Sequence, residues 1–559
     1  MTRLKKMLLK KYDKQKTVNY MGGVSFNMSP LETLKMVASS SMFMEPKYYQ
    51  KESADKYEGT IVLDKLVEKY SLFSIKDNVK PSDLTRKCIS EALDFDFGKT
   101  IELALELRRE YLVRVVPQLI MVMAAAHPSR ARFDEEHPGE FRRINLAVMQ
   151  RADEPAIQFA CWLYLHDFDK KGIPSILKRS WKDRVEKMSA YEAAKYKNAE
   201  TGLINLVLIC HAKGDVVADL MKDGKVEVKE DEKTWENLRS AGKTFAEIME
   251  EIRLPHMALL RNLRNIMEES PSYDKVKDVA ELLKSGVKNG KQFPFRYYAA
   301  LKALGSDNEN PIINDALEEC IDIATEEMPK LKGKTICLSD NSGSAWGAFT
   351  SEYGSNQIAV IDNISSVIAA RQSDEGYVGK FGDKLKIYPV SKRNGVLSQA
   401  ERISENGYSD VGGSTENGIW LFFKNAIKNN EWYDNIFVFS DQQAGHGGLY
   451  GEGDSYVING EKYNVAFTIY VDVMKLLQRY RSKVNPKVNF FTVQTAGYNN
   501  AVVPEFIYRG AVLCGWTGKE TLFASKLIEQ WDEIERRKES TEFKNAEQSC
   551  EEDGDDDVQ

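Results

Sequence analysis

The sequence predicts at least two domains, an all-α region of repeated helices followed by an α/β domain whose open sheet is mostly parallel. The chain of 559 residues is too long to fold around one hydrophobic core. Up to about residue 330, apolar residues recur at helical spacing and strand signals are nearly absent. After that point, short β-rich runs alternate with amphipathic stretches, which is typical of a mostly parallel α/β sheet.

Four apolar segments in the first part each follow a proline, at Pro117, Pro155, Pro255 and Pro294. Proline suits the first turn of a helix, where its missing N–H is not needed. The first two prolines lie 38 residues apart and the last two 39, close to the period of about 40 residues of HEAT-type helix pairs. The spacing predicts a curved solenoid, although an irregular helical bundle with chance prolines explains it equally well.

The second part contains the individual strand and helix signals. We predict strands over 334–339, 385–390, 435–439, 488–493 and 511–514, and helices over 356–371, 415–428, 465–481 and 519–536. The glycine-rich stretch 446–463 carries an NG pair at Asn459-Gly460, so it predicts a loop or a small hairpin.

The net charge of −7 resides in the C-terminal tail, because residues 538–559 carry nine acidic and two basic side chains. Such a composition buries little apolar area and predicts disorder. The basic N-terminal arm, residues 1–16, is interpreted as a solvated segment, with nucleic-acid contact as the alternative.

Seven cysteines are scattered singly, without CxxC pairs or zinc spacing, which favours a reducing compartment. The N-terminus lacks a secretory signal, and no apolar run is long enough to cross a bilayer. We therefore expect a cytoplasmic protein without a membrane partner.

The segment KTICLSDNSGSAWG, residues 334–347, predicts a metal site. A β-rich run ends on Asp340 and is followed by Ser342 and Ser344, which places all three at the carboxyl end of a strand, where ligands bind in α/β sheets. Carboxylate and hydroxyl oxygens suit a divalent ion, most of all Mg²⁺, with Mn²⁺ or Ca²⁺ as alternatives.

Two later positions complete this pattern. Thr415 follows a glycine turn at the start of a predicted helix, and Asp441 follows a buried strand. The arrangement resembles the metal-ion-dependent adhesion site (MIDAS) of von Willebrand factor A domains, in which a partner's carboxylate often completes the coordination. Helix capping by serine and aspartate is the plainer alternative. An aspartyl-phosphate site is another, but it usually has a second aspartate where Ser342 stands.

The sequence contains no other catalytic pattern: HExxH, a P-loop and GxGxxG are all missing. We therefore expect a protein without enzymatic activity.

Basic residues in the helical part predict contact with nucleic acid. Residues 178–197 hold seven basic and three acidic side chains, interleaved with three aromatic ones, and basic groups contact phosphates while aromatic rings stack on unpaired bases. The candidates in this segment are Lys178, Arg179, Lys182, Lys195 and Lys197. Two further candidates follow at Arg261 and Arg264. A solvated helix face with buried aromatic rings is the alternative.

Several segments resemble the TROVE domain of Ro ribonucleoproteins of the bacterial or phage type. They are NYMGGVSF (19–26), RADEPAIQFACWLYL (151–165), AAKYKNAETGLINLVLICH (193–211), LPHMALLRNLRNI (254–266) and FPFRYYAALKAL (293–304). The order, TROVE domain first and von Willebrand A domain second, is also that of the family, and the resemblance covers about residues 17–537.

This resemblance implies a ring of HEAT-like helices over 17–330, closed by a von Willebrand A domain over 331–537. It implies binding of small noncoding Y-like RNAs and of misfolded or single-stranded-ended RNAs in RNA quality control, with an exoribonuclease such as polynucleotide phosphorylase as a partner. Lys195 and His211 match the family's RNA contacts, whereas Ala199 stands near an expected basic residue. The alternative function is a metal-dependent protein-adhesion scaffold with secondary RNA binding.

Overall fold

The computed structural model describes most of the chain. The described residues are 16–18, 24–40, 81–196, 202–223, 226, 234–326, 328–343, 345–346, 357–412, 416–442, 446–447, 455–458, 461–464, 469–470, 472–495, 500–504, 507–514, 518 and 520–552. Within this part of the chain, no helix is both long and apolar enough to cross a lipid bilayer.

The first part of the chain consists of successive short helices. They are α1 (Pro30–Ser40), α2 (Pro81–Phe95), α3 (Phe97–Arg109), α4 (Val115–Ala126), α5 (Ser129–Glu136), α6 (Glu140–Val148), α7 (Glu154–Leu165), α8 (Ser175–Val185), α9 (Ala190–Tyr196), α10 (Leu203–Cys210), α11 (Asp215–Asp223), α12 (Trp235–Ser240), α13 (Phe245–Glu251), α14 (His256–Arg261), α15 (Leu263–Glu268), α16 (Tyr273–Gly290), α17 (Pro294–Leu304) and α18 (Pro311–Glu326).

The starts of these helices follow from local sequence. Pro155 and Pro294 occupy the first turns of α7 and α17, as predicted, and Pro255 is the N-cap of α14. Elsewhere polar side chains satisfy the open N–H groups of the first turn. Thr244 and Glu247 form a reciprocal capping box at α13.

The second part of the chain forms an α/β domain around an eight-stranded sheet. Its strands are β3 (Leu331–Asp340), β4 (Ser373–Phe381), β5 (Leu385–Pro389), β6 (Asn435–Ser440), β8 (Ser455–Ile458), β9 (Glu461–Asn464), β11 (Asn489–Gln494) and β13 (Gly510–Cys514). They lie side by side in the order β13-β11-β6-β3-β4-β5-β8-β9. β13, β11, β6, β3 and β4 are parallel, whereas β5 is antiparallel to β4. The helices α19 (Ile358–Arg371), α20 (Val396–Ser404), α21 (Glu416–Lys428), α22 (Val473–Lys483) and α23 (Glu520–Glu552) connect and flank the strands.

The N-terminal segment is built into this second domain. β1 (Lys16–Val18) and β2 (Val24–Asn27) form a sheet with β12 (Asn500–Ala501), and β7 (His446–Gly447) pairs with β10 (Ile469–Tyr470) elsewhere. Phe26 is fully buried among the side chains on one face of the large sheet. Because α18 leads directly into β3 and α1 packs against β13, the helical region meets the α/β domain at both of its ends.

Three differences separate the predicted from the observed elements. β4 was not predicted, because its sequence SDEGYVGKF contains acids and glycines. The predicted helix 465–481 begins only at Val473, after strand β10 at Ile469–Tyr470, since Asp472 caps its first turn. The helix α23 continues to Glu552, which corrects the expectation of disorder over 538–552, a stretch without glycine or proline and rich in helix-forming residues.

Two smaller predictions are confirmed. β8 and β9 form the hairpin expected around Asn459-Gly460, with Ile458 opposite Glu461. Five of the seven cysteines are free and buried, as expected of single thiols in apolar stretches: Cys88, Cys161, Cys210, Cys320 and Cys337.

Candidate nucleic-acid interface and metal site

A cavity of about 390 Å³ lies in the helical region, lined by residues from 114–196 and from 234–261. Its lining contains four basic side chains and two acidic ones, Asp153 and Glu236. The basic ones are Arg114, Arg151, Lys195 and Arg261, which come from widely separated parts of the sequence. The cavity therefore carries an excess of positive charge.

Helix ends deliver these side chains to the cavity. Arg114 directly precedes α4, and Lys195 lies in the last turn of α9. Arg261 is the last residue of α14, and Trp235 is the first residue of α12. The lining therefore depends on how the helices pack and not on any local sequence pattern.

Aromatic rings hold part of this basic lining in place. Arg151 Nη2 donates a hydrogen bond to the Tyr196 hydroxyl at 3.1 Å, and its guanidinium lies 5.7 Å from the centre of that ring. Lys195 Nζ lies 5.6 Å from the ring centres of both Tyr191 and Tyr196. Asp153 accepts hydrogen bonds from Arg114 and Arg151. Cation–π contacts and one carboxylate thus orient the basic groups.

A buried ion pair connects the helices that carry part of this lining. Arg108 Nη2 lies 2.7 Å from Glu154 Oε1, and the glutamate is fully buried at the start of α7. Burial raises the pKa of Glu154, while the positive charge of Arg108 opposes that shift. The pair joins α3 to α7 directly beside Asp153.

The structure separates the predicted RNA contacts into groups. Lys195 and Arg261 line the cavity, whereas Lys182 and Arg264 form ion pairs along their own helices, with Glu186 at 3.8 Å and Glu268 at 3.4 Å. Of the other predicted contacts, Lys178 and Arg179 lie on α8, and His211 is the exposed left-handed C-cap of α10. Lys197 lies outside the described residues.

Sequence reasoning missed Arg114, Arg151 and Trp235 as parts of the cavity. Arg151 is the first residue of RADEPAIQFACWLYL, so the resemblance contained a signal for it. Arg114 and Trp235 lie outside the recognised segments, and no sequence pattern marks them.

The predicted metal ligands lie at the carboxyl edge of the parallel strands. Asp340 ends β3 and is fully buried, and Asp441 follows β6 with 2% of its surface exposed. Asp340 Oδ1 accepts a hydrogen bond from the Ser342 backbone N–H at 2.9 Å, and its Oδ2 accepts one from the Ser440 hydroxyl at 2.7 Å. Ser344 and Thr415 lie outside the described residues.

The electrostatics of this edge favour a bound cation. Burial and the nearby charge of Asp441 raise the pKa of Asp340 to about 7. Burial and the charge of Asp340 also raise the pKa of Asp362, a fully buried residue of α19. A divalent ion would offset this repulsion. No three described His, Cys, Asp or Glu residues converge as ligands, so hydroxyl groups such as that of Ser342 would have to contribute.

Comparisons with known proteins agree with the predicted family. The model of the TROVE domain family matches residues 218–369, which run from α11 into α19. The crystal structure of the Deinococcus radiodurans RO (RSR) protein superposes with a TM-score of 0.50 at 16% sequence identity, covering 78% of this chain and 92% of that one. No match to a curated protein is found.

Residues 218–369 of this chain are thus similar to a TROVE domain. The helical region and the α/β domain together share the fold of the Deinococcus protein. The predicted fold class is thereby confirmed, and the match of residues 218–369 supports the predicted family.

Proposed function

We propose that this chain binds RNA through the basic cavity in its helical region. The observation that carries the proposal is the convergence of Arg114, Arg151, Lys195 and Arg261 on one cavity beside Tyr196. Arginine and lysine contact phosphates, and exposed aromatic rings stack on unpaired bases. The volume lies within the range of about 300–1,000 Å³ that small-ligand pockets span.

Single-stranded RNA fits this cavity better than a duplex does. A duplex keeps its bases stacked inside, so it presents only phosphates and sugars to such a surface. The mixture of cationic and aromatic groups matches an unstacked nucleotide. We therefore infer that the ligands are structured RNAs with unpaired segments, namely small Y-like noncoding RNAs and misfolded RNAs in RNA quality control. An exoribonuclease such as polynucleotide phosphorylase is the proposed protein partner, and the cytoplasm the proposed location.

Binding of matched RNAs tests this proposal. One RNA is a hairpin with a single-stranded 3′ tail, and the control is the same hairpin with a blunt end. At about 0.1 M salt we expect the tailed RNA to bind the full chain more tightly. Equal and weak binding of both RNAs would refute the proposal.

A second function is favoured by the buried acidic edge of the sheet. Asp340, Ser342 and Asp441 fit a von Willebrand A-type site that holds Mg²⁺, with Ser344 and Thr415 as the remaining ligands. The ion would supply an open coordination position for a carboxylate of a protein partner. We infer a docking site of this kind and no enzymatic activity. A protein partner that co-purifies with the chain, and is released by a chelator while RNA stays bound, is the expected result.

The rival reading of this edge is a phosphotransferase. It predicts turnover of a phosphorylated substrate that Asp340→Ala abolishes. We expect no such turnover in the wild-type protein.

A further inference from the structure

The loop between α7 and α8 presents an aromatic ring to solvent. Phe168 is 78% exposed, more than any other described large hydrophobic side chain. Its φ angle is 64°, and that of the preceding Asp167 is 47°. Both lie in the left-handed region, which is unfavourable for residues with a β carbon and most of all for a bulky one. The burial of apolar surface does not explain the exposure of this ring.

The surrounding contacts hold the loop in this conformation. Phe168 N–H donates a hydrogen bond to the Leu163 carbonyl at 2.7 Å, which closes the end of α7. The Trp162 ring stacks on His166 with ring centres 3.8 Å apart, and Trp162 Nε1 donates to the Asp169 carbonyl at 3.2 Å. These contacts fix the backbone that carries the exposed ring, so little conformational entropy is lost when a ligand binds.

Basic side chains flank this ring. Residues 167–182 contain five basic and two acidic residues. One of the acids, Asp169, accepts a hydrogen bond from the Lys171 backbone N–H at 2.9 Å. Lys170 and Lys171 are exposed, and none of the described residues forms an ion pair with them. On the following helix, half-buried Lys178 and exposed Arg179 likewise form no ion pair with a described residue. A fixed aromatic ring beside such cations matches an unpaired base with its adjoining phosphates.

We propose that Phe168 is a stacking platform for an unpaired base of the bound RNA, with Lys170 and Lys171 contacting the neighbouring phosphates. The inference rests on the proposed RNA-binding function and adds a second contact point. Phe168 is not part of the cavity lining, so the two contacts are separable by mutation.

Fluorescence of 2-aminopurine tests the platform in the full-length protein. The base analogue is placed at successive positions of the single-stranded tail and of a loop of a hairpin RNA. We expect wild-type protein to quench it at one or a few positions. Phe168→Ala should abolish that quenching and weaken binding by about 5- to 160-fold, the range for loss of one stacked base. Phe168→Trp should restore both signals.

A matched control separates the platform from general surface effects. Phe95 is also an exposed phenylalanine, with 58% of its surface accessible, but it ends α2 at a distant place in the sequence. Phe95→Ala should leave affinity and quenching unchanged. Near-ultraviolet circular dichroism of each variant checks that the fold is intact.

The alternative outcomes are distinct. If Phe168→Ala binds and quenches like wild type while neutralising Lys195 and Arg261 weakens binding, the platform is refuted and the proposed function stands. If wild-type protein binds none of the RNAs, the proposed function fails and the platform with it. If Phe168→Ala loses a co-purifying protein but keeps its RNA affinity, the loop binds protein and the inference is overturned.

Discussion

Neutralising Lys195 and Arg261 together should weaken RNA binding and flatten its dependence on salt. The double variant Lys195→Met, Arg261→Met removes two of the four basic groups that line the cavity. If each contacts one phosphate at a net gain of about 1 kcal/mol, the pair accounts for about a 30-fold loss of affinity at low salt. Each lost contact to a single strand also lowers the slope of log affinity against log salt by about 0.7.

The slope gives the sharper measurement. For two contacts it should become shallower by about 1.4, so from about 50 to 200 mM salt the wild type should lose about sevenfold more affinity than the variant. Filter binding or fluorescence anisotropy at four salt concentrations measures this. Arg264→Met is the matched control, because Arg264 pairs with Glu268 outside the cavity. An unchanged slope in the double variant, or an equal change in Arg264→Met, would show that the cavity does not hold the phosphates.

Three further predictions concern the metal site and stability. Asp340→Asn should abolish the stabilisation of the fold by Mg²⁺, which in the wild type reaches about 2.7 kcal/mol at an ion concentration 100 times Kd. A thermal shift on adding Mg²⁺ that persists in the variant would show that Asp340 is not a ligand of the ion. Asp410→Asn should destabilise the α/β domain by about 3 kcal/mol in urea unfolding, because fully buried Lys380 loses the carboxylate that lies 2.9 Å from its Nζ. Unchanged stability would show that the hydrogen bond from Lys380 to the Glu405 carbonyl is enough to hold the buried ammonium group. Burial lowers the pKa of His256 from 6.5, so the folded state binds a proton more weakly than the unfolded chain does, and the stability of the protein should fall as pH drops below about 6.5. The melting temperature of His256→Gln should therefore depend less on pH than that of the wild type. Parallel plots of melting temperature against pH for the two proteins would contradict this.

The parts of the fold that the sequence predicted are those with strong local patterns. β3, β6 and β11 are buried on both faces, so continuous apolar runs identify them. β4 has no such run. A β carbon on its Gly376 would lie 1.9 Å from the Ala370 carbonyl oxygen, so close backbone packing explains the glycine that weakened the strand signal.

The two candidate sites differ in how many of their residues could be predicted from the sequence alone. Asp340 and Ser342 are neighbours in the chain, and a strand-end rule places Asp441 beside them, so the metal pattern is readable from residue order. The cavity joins residues 114 to 261, and only the packing of the helices brings them together. Single basic residues such as Arg264 looked equivalent to Arg261, and helix packing alone separates them.

Crosslinking of RNA to the intact protein tests the central claim most directly. A tailed hairpin RNA containing 4-thiouridine in its single-stranded segment is irradiated in complex with the full chain, and the modified peptides are identified by mass spectrometry. We predict crosslinks at Tyr196 and Trp235 in the cavity. Crosslinks confined to residues 331–537, with none in the helical region, would contradict RNA binding at this cavity.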